Sequence, residues 1–206
     1  MYARSTTFRA RPESLDDGIA HVRDEVMPVL LSMPGCIGLS MLVDRGTGRC
    51  IATSAWRTEE AMRATEVQIR PLRRRAGEIL GGRPDVDEWE IAVLHRDHRS
   101  PRGACVRTTW VQAEPADLEH LIAVYRTGTL PTLEGFDGFC SASLLVDGVT
   151  GRAVSSVTFD STSALEASRE PAAPLRERSV REARAQVLGV EEFELALAHL
   201  HVPEMA

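Results

Sequence analysis

The pattern of apolar and polar positions over residues 1–95 predicts the order strand, helix, strand, strand, helix, strand. Residues 2–11 alternate in the manner of a strand. The next segment places apolar residues three or four positions apart, which predicts an amphipathic helix containing Leu15, Ile19, Val22, Val26 and Leu30. The segments CIGLSMLV and RCIATSAW predict two further strands, residues 58–80 a second helix, and EWEIAVLH the last strand.

The same pattern returns in the second half of the chain. The segment LVDRGTGR is followed by a near copy, LVDGVTGR, and 147 minus 44 places Asp147 at an offset of 103 from Asp44. At that offset matched residues run along most of the chain, among them Arg4 with Arg107, Pro28 with Pro131, Gly35 with Gly138, and Pro71 with Pro174. Near the end the offset becomes 104. We therefore predict a duplicated domain, with copy one at 1–95, a linker at 96–104 and copy two at 105–206.

The repeated glycine-rich segment resembles a phosphate-binding loop at first sight. Such a loop needs to lead into a helix N-terminus, where free amides favour an anion, but here it joins two predicted strands. We expect a β-turn, in which the aspartate side chain accepts hydrogen bonds from turn amides and glycine supplies a positive φ.

The second helix of copy one has two notable features. Pro71 lies in its interior and is expected to kink or divide it. Arginines surround this proline at positions 70, 73, 74 and 75, with Glu66 and Glu78 at helical pairing distance. Only the arginines at 73 and 75 recur in copy two, which favours a solvated helix face over a ligand clamp.

The βαββαβ order predicts an α+β fold made of two tandem ferredoxin-like domains. Both helices of such a domain cover one face of the sheet, yet the predicted strands are apolar or small on both faces. The other face therefore also needs a cover, and the second copy is expected to supply it. We accordingly predict a single-chain counterpart of a dimeric α/β barrel, an intramolecular pseudo-dimer, with further oligomerisation left open.

Composition narrows the classes of partner. The chain has 206 residues, a net charge of −6 and a pI near 5.6, which argues against a nucleic-acid partner. No signal-like start and no apolar run of about 18 residues is present, so we expect no membrane partner and a cytoplasmic location. The cysteines show no metal-binding spacing and are expected to be reduced and buried, with no metal bound; they are Cys36, Cys50, Cys105 and Cys140.

The segment ATSAWRTEEAMRATEV, a strand ending in tryptophan before an acidic, alanine-rich helix, resembles the antibiotic biosynthesis monooxygenase superfamily. The resemblance implies dimeric α/β barrels, with activities that include cofactor-free oxygenation and haem degradation. The haem-degrading branch has an Asn on the first strand and a His on the second helix. Here Thr6 and Thr109 stand near the Asn position and neither 58–80 nor 161–188 contains His, so haem degradation is disfavoured.

The oxygenase branch oxidises electron-rich aromatic compounds without metal or flavin, so the resemblance implies no cofactor. Trp56 ends the third strand where the family pocket lies and Phe159 matches it, although both would look the same as core aromatics. Copy two also has Trp110 in place of a threonine. It has Tyr125 in place of a valine, and this phenol either bonds a core carbonyl or faces a cavity.

Catalytic residues are the least determined part of the prediction. His95 and His199 match at the end of the last strand and are weak candidates for a general base. The alternative is that each is a hydrogen-bonded histidine at the end of a strand, without a catalytic role. Tyr125 is a further weak candidate for a catalytic residue. The sequence predicts a cofactor-independent monooxygenase-like protein acting on a small aromatic or polyketide-like compound. The alternative is a non-catalytic module binding a small apolar or aromatic ligand. In both cases we expect two non-equivalent pockets, that of copy two being more polar.

Overall fold

The computed structural model describes residues 1–200, so the last six residues of the predicted second copy lie outside the described part. The described residues form two compact units. Unit 1 comprises Met1–Trp89 together with the end of the last strand from Glu194 onward, and unit 2 comprises Glu90–Phe193. The boundaries 1–95 and 105–206 remain a prediction about the repeats in sequence.

Copy one has the predicted order of elements, with the first helix divided into short helical turns. Its elements are β1 Tyr2–Arg9, a 3-10 turn Pro12–Ser14, α1 Leu15–His21, a π-helical turn Val22–Val26, α2 Met27–Ser32, β2 Cys36–Asp44, β3 Arg49–Trp56, α3 Glu59–Ala64, α4 Glu66–Leu80 and β4 Asp85–Arg96.

Copy two repeats this order closely. Its elements are β5 Cys105–Gln112, a 3-10 turn Pro115–Asp117, α5 Leu118–Val124, a π-helical turn Tyr125–Thr129, α6 Leu130–Glu134, β6 Phe139–Val146, β7 Arg152–Phe159, α7 Thr162–Ala167, α8 Arg169–Glu182 and β8 Gln186–Leu200. Even the π-helical turn recurs at the matched position, which shows that the duplication preserves local backbone geometry.

The sheet of each unit is antiparallel where its register is recorded. The long strands β4 and β8 each contribute one half to unit 1 and the other half to unit 2. In unit 1 the hydrogen-bonded order is β4-β1-β3-β2-β8, and in unit 2 it is β8-β5-β7-β6-β4. β2 pairs with the second half of β8, Leu39 opposite His199, and β6 with the second half of β4, Ala142 opposite His95. This confirms the predicted fold class, two tandem ferredoxin-like repeats with the strand order of an α/β barrel.

The second helix of each copy is divided, but not at its proline as predicted. The break falls at Thr65, whose hydroxyl donates to the Met62 carbonyl at 2.7 Å, and α4 then runs on through Pro71. Pro71 cannot donate to the carbonyl of Val67, and because Val67 is 78% exposed, water can replace that bond. In copy two the helical region predicted to reach residue 188 ends at Glu182.

The repeated glycine-rich segment is a turn between two strands, as predicted. Asp44 Oδ1 accepts hydrogen bonds from the amides of Gly46 and Thr47, at 2.8 and 3.3 Å. Gly48 has a φ of 72° and its matched residue Gly151 a φ of 75°, so both need the left-handed region that glycine adopts without strain. No helix among the described residues is long and apolar enough to cross a membrane.

Candidate functional site

Unit 2 contains a cavity between its helices and its sheet, which we call cavity 2. Its volume is about 90 Å³. The walls are mainly aliphatic and come from β5, β6, β7, α8 and the first helical region. The polar side chains of its wall are Arg107, Thr109, Tyr125, Thr129, Ser155, Arg176 and Ser179.

Unit 1 contains a cavity built from matched positions, cavity 1, with a volume of about 50 Å³. Two replacements remove bulk from the wall of cavity 2 relative to that of cavity 1. Phe8 of cavity 1 corresponds to Val111, and Ile69 corresponds to Ala172, so two bulky side chains have become small ones. The two cavities are therefore not equivalent, as the sequence predicts.

Hydroxyl groups distinguish the wall of cavity 2. Tyr125 and Ser155 stand where cavity 1 has a valine and an alanine, and Tyr125 Oη lies 3.0 Å from Ser155 Oγ. Thr129 and Ser179 form a second pair, 2.8 Å apart. Because the hydroxyls bond to each other, the surface inside the cavity stays predominantly apolar. Copy two is thus more polar in residue composition, but not in the surface it presents.

Tyr125 is buried, and burial raises its pKa to about 12, with the hydrogen bond to Ser155 acting in the opposite direction. The phenol is therefore neutral at physiological pH. Of the two readings that the sequence left open for this residue, the structure shows the second, a phenol that faces a cavity.

The aromatic residues at the ends of β3 and β7 have different surroundings. Trp56 is completely buried, and its indole N–H donates to Ser54 Oγ at 3.0 Å; it does not line cavity 1. Phe159 lines cavity 2, where the Arg107 guanidinium lies 5.7 Å from its ring centre. In copy two Phe159 replaces Trp56 and Val157 replaces Ser54, so both the indole donor and its hydroxyl acceptor are absent there.

Trp110 lies outside cavity 2. Residues 107, 109 and 111 of β5 face the cavity, so Trp110 points to the opposite face of the strand, since side chains alternate along a strand. Its indole N–H donates to Glu191 Oε2 at 2.8 Å. The structure therefore gives this indole a carboxylate partner on β8 in place of a position in the cavity.

The two matched histidines also lie outside the cavities. His95 Nε2 is 3.0 Å from Glu134 Oε1, and the imidazole stacks on Phe139 with ring centres 6.0 Å apart. His199 is half-buried on β8. Neither lines cavity 1 or cavity 2, so a proton-accepting role there has no geometric support.

An ion-pair network borders cavity 1. Glu66 receives two hydrogen bonds from Arg73, at 3.2 and 3.1 Å, and lies 3.4 Å from Arg4. Arg4 also donates to Glu88 at 2.8 Å. The bond from Arg73, followed by its charge and that of Arg4, lowers the pKa of Glu66 against the effect of burial. Arg73 is only 10% exposed, so its predicted place on a solvated helix face is wrong.

The corresponding ion-pair network in unit 2 has different partners. Arg107 donates to Glu192 at 2.9 Å, as Arg4 does to Glu88, but position 169, which matches Glu66, is now an arginine. Arg169 donates to Glu192 at 2.6 Å, and this bond is the main reason why the pKa of Glu192 is lowered. Arg176, which matches Arg73, is left at the cavity wall. Sequence analysis missed it, although the Glu66 to Arg169 replacement was a visible signal.

A cluster of three metal-ligand side chains lies elsewhere in unit 2. The donor atoms of His98, Cys140 and Asp160 lie within 4.8 Å of one another. His98 is already held between two carboxylates, with Asp97 and Asp160 each at 2.7 Å, and these bonds raise its pKa, that with Asp97 most. Burial raises the pKa of the Cys140 thiol, which disfavours the thiolate that metal binding requires. The contacts are those of a hydrogen-bonded cluster.

Comparison with known proteins agrees with this architecture. Residues 1–66 match the family model described as Antibiotic biosynthesis monooxygenase. This match lies within copy one, and the strand order and duplicated ferredoxin-like repeat agree with the resemblance to that superfamily. The chain belongs to the same family as the protein Rv2557 of Mycobacterium tuberculosis strain H37Rv. The two are 58% identical over 205 residues, which cover 100% of this chain and 92% of that protein.

Solved structures share the fold at low sequence identity. An anthrone oxidase-like protein has a TM-score of 0.69 at 15% identity, with 100% of this chain and 95% of that chain covered. The haem-degrading enzyme LmHde of Listeria monocytogenes has a TM-score of 0.56 at 9% identity, with 95% and 99% covered. An anthrone oxidase-like protein and a haem-degrading enzyme thus share this fold. The likeness therefore concerns architecture, and activity has to be argued from the site.

Proposed function

We propose that cavity 2 binds a small aromatic or polyketide-like compound and that the protein oxidises it with molecular oxygen without a cofactor. The observation that carries the proposal is the Tyr125 and Ser155 pair, which sets hydroxyl groups into an otherwise apolar cavity of unit 2. Apolar walls with a few placed polar groups are typical of sites for small organic ligands. The match of residues 1–66 to the Antibiotic biosynthesis monooxygenase family model supports the reaction class.

The residues of cavity 2 suit a reaction in which the substrate supplies all the electrons. In such an oxidation one carbon–hydrogen bond of a ring methylene group conjugated with a ring carbonyl ionises, and the carbanion reduces oxygen. One oxygen atom becomes a new carbonyl on that carbon, and the other leaves as water with the two hydrogens. The neutral phenol of Tyr125 can donate to the enolate oxygen while the aliphatic walls exclude water.

The lining does not fit a ligated haem. Among the described lining residues, Tyr125 is the one side chain of a type that binds haem iron, and its raised pKa keeps it protonated. The proposal therefore keeps haem degradation disfavoured for this cavity.

A non-catalytic binding module is the second candidate function, and the lining itself favours it. No Asp, Glu or His is present among the described residues around cavity 2, so no side chain there accepts a proton near neutral pH. An oxygenase built on this cavity would have to rely on the acidity of its substrate. A binding module needs no such acidity.

Anthrone is a suitable probe, since its oxidation to anthraquinone has the balance given above and is visible by absorbance. We expect the full chain to bind anthrone and to accelerate oxygen uptake, measured with an oxygen electrode, beyond the rate in buffer. Binding without faster oxygen uptake supports the binding module.

The Ala172→Ile variant installs the residue that cavity 1 already holds, and it should weaken anthrone binding by roughly tenfold or more. Unchanged binding in that variant would place the ligand outside cavity 2.

The Tyr125→Phe variant tests the role of the hydroxyl. Losing one hydrogen bond to the ligand oxygen should weaken anthrone binding by about fivefold, and the wall keeps its shape because only an oxygen atom is removed. Binding is measured by calorimetric titration, with Tyr2→Phe in unit 1 as the matched control. Equal affinity in wild type and Tyr125→Phe contradicts the assigned contact.

A further inference from the structure

We infer that the ligand of cavity 2 is an anion, an aromatic compound carrying one carboxylate or ionised phenol, and that Arg176 recognises this group. The inference rests on the proposed function, in that it names the class of compound that the same cavity takes. It comes from comparing the ionic partners of matched residues in the two copies.

Arg176 has lost the partner that its counterpart keeps. In unit 1, Arg73 is held by both oxygens of Glu66, seven residues earlier on the chain. Position 169 stands seven residues before Arg176 and is an arginine, which turns to Glu192. Within residues 1–200 the Arg176 guanidinium makes no hydrogen bond or ion pair.

The surroundings of Arg176 supply no substitute for the missing carboxylate. The residues one turn away on α8 are alanine, serine or valine, namely Ala172, Ala173, Ser179 and Val180. The described lining of cavity 2 contains no acidic side chain at all. A half-buried guanidinium against an apolar wall is stabilised by an anion, and its planar fork fits a carboxylate in a bidentate geometry.

The second arginine of the cavity is not available for this role. Arg107 gives its donors to Glu192, to Ser168 Oγ at 2.8 Å and to the Leu165 carbonyl at 2.8 Å. It therefore contributes positive potential that Glu192 already balances. The selectivity for an anion depends on Arg176, which approaches the cavity from α8.

The probes for this inference are 2-naphthoate and its neutral counterpart 2-naphthamide, which share shape and ring system. Calorimetric titration of the full chain should show naphthoate binding about tenfold more tightly, as expected for a charge-assisted pair at a partly exposed site. The Arg176→Gln variant should bind both probes with the affinity of the amide. Arg178→Gln, on the exposed part of the same helix, is the matched control and should keep the preference.

A charge exchange tests the mechanism without removing Arg176. The double variant Glu166→Arg/Arg169→Glu reproduces the arrangement of Arg63 and Glu66 in copy one, which gives Arg176 an internal partner. It should lose the tenfold preference for naphthoate while naphthamide binding stays unchanged. Equal binding of the two probes to the wild type overturns the anion inference and leaves the proposed cavity intact. If neither probe binds, the anion inference is overturned, and the proposed function is overturned as well only if anthrone also fails to bind.

Discussion

Replacing Gly151 by alanine is expected to destabilise the protein by about 3 kcal/mol, because two costs add. The residue has a φ of 75°, where an L side chain is strained. A Cβ atom there would also collide with the carbonyl oxygen of Ala113. That carbonyl cannot move away easily, since the Ala113 amide donates to the Gly151 carbonyl at 3.0 Å.

Urea denaturation of the full chain measures this effect, and the same turn supplies the control. Gly148 has open space around the position of a Cβ and no positive φ. Gly148→Ala should therefore change the free energy of unfolding by no more than about 0.5 kcal/mol. Similar losses in both variants would show that the strain at Gly151 is not the cause. Gly48→Ala, at the matched turn of unit 1, should behave like Gly151→Ala.

The Arg107→Met variant is expected to lose about 3 kcal/mol of stability, at the lower end of the range for breaking a buried ion pair. Arg107 is 6% exposed and bonds to Glu192, Ser168 and the Leu165 carbonyl. The loss stays at the lower end because Glu192 keeps Arg169 as a partner. For a chain of this size the thermal midpoint should fall by roughly 6–12 °C.

Two further variants separate charge from packing in this prediction. Arg178→Met makes the same substitution at an exposed position and should leave the melting temperature nearly unchanged. Arg107→Met/Glu192→Gln removes both charges of the buried pair, so its loss should be smaller than the sum of the two single variants. Strict additivity would contradict an interaction between Arg107 and Glu192.

Much of the fold could be predicted because each strand and helix occurs twice in the sequence, so its pattern can be compared between the two copies. A strand or helix that is ambiguous in one copy is supported by its match at an offset of 103, and the turn at Gly48 reappears at Gly151. The position of the helix break could not be predicted from Pro71, since it depends on the Thr65 hydroxyl reaching the Met62 carbonyl. The sharing of β4 and β8 between two sheets also has no local sequence signal.

The site was less predictable, because the identity of a residue does not determine which way its side chain points. Tyr125 and Phe159 line cavity 2, whereas Trp110, one residue from two lining positions, faces the other side of β5. Arg176 was missed for a different reason. Arg176 lacks an internal partner because position 169 is not a glutamate. This can be recognised only when the structure shows that Glu66 is the partner of Arg73 in copy one.

The shared strand β8 has a consequence for the synthesis of this protein on the ribosome. Residues 38–43 of β2 pair with β3 on one edge, but their partners on the other edge are residues 194–200, which are translated about 150 residues later. At an elongation rate of about 5–20 residues per second this delay is on the order of ten seconds, during which that edge of β2 is open. A nascent chain with an unpaired edge can associate with a neighbour on the same messenger RNA. The N-terminal unit is therefore the more exposed to misassembly, even though it emerges first.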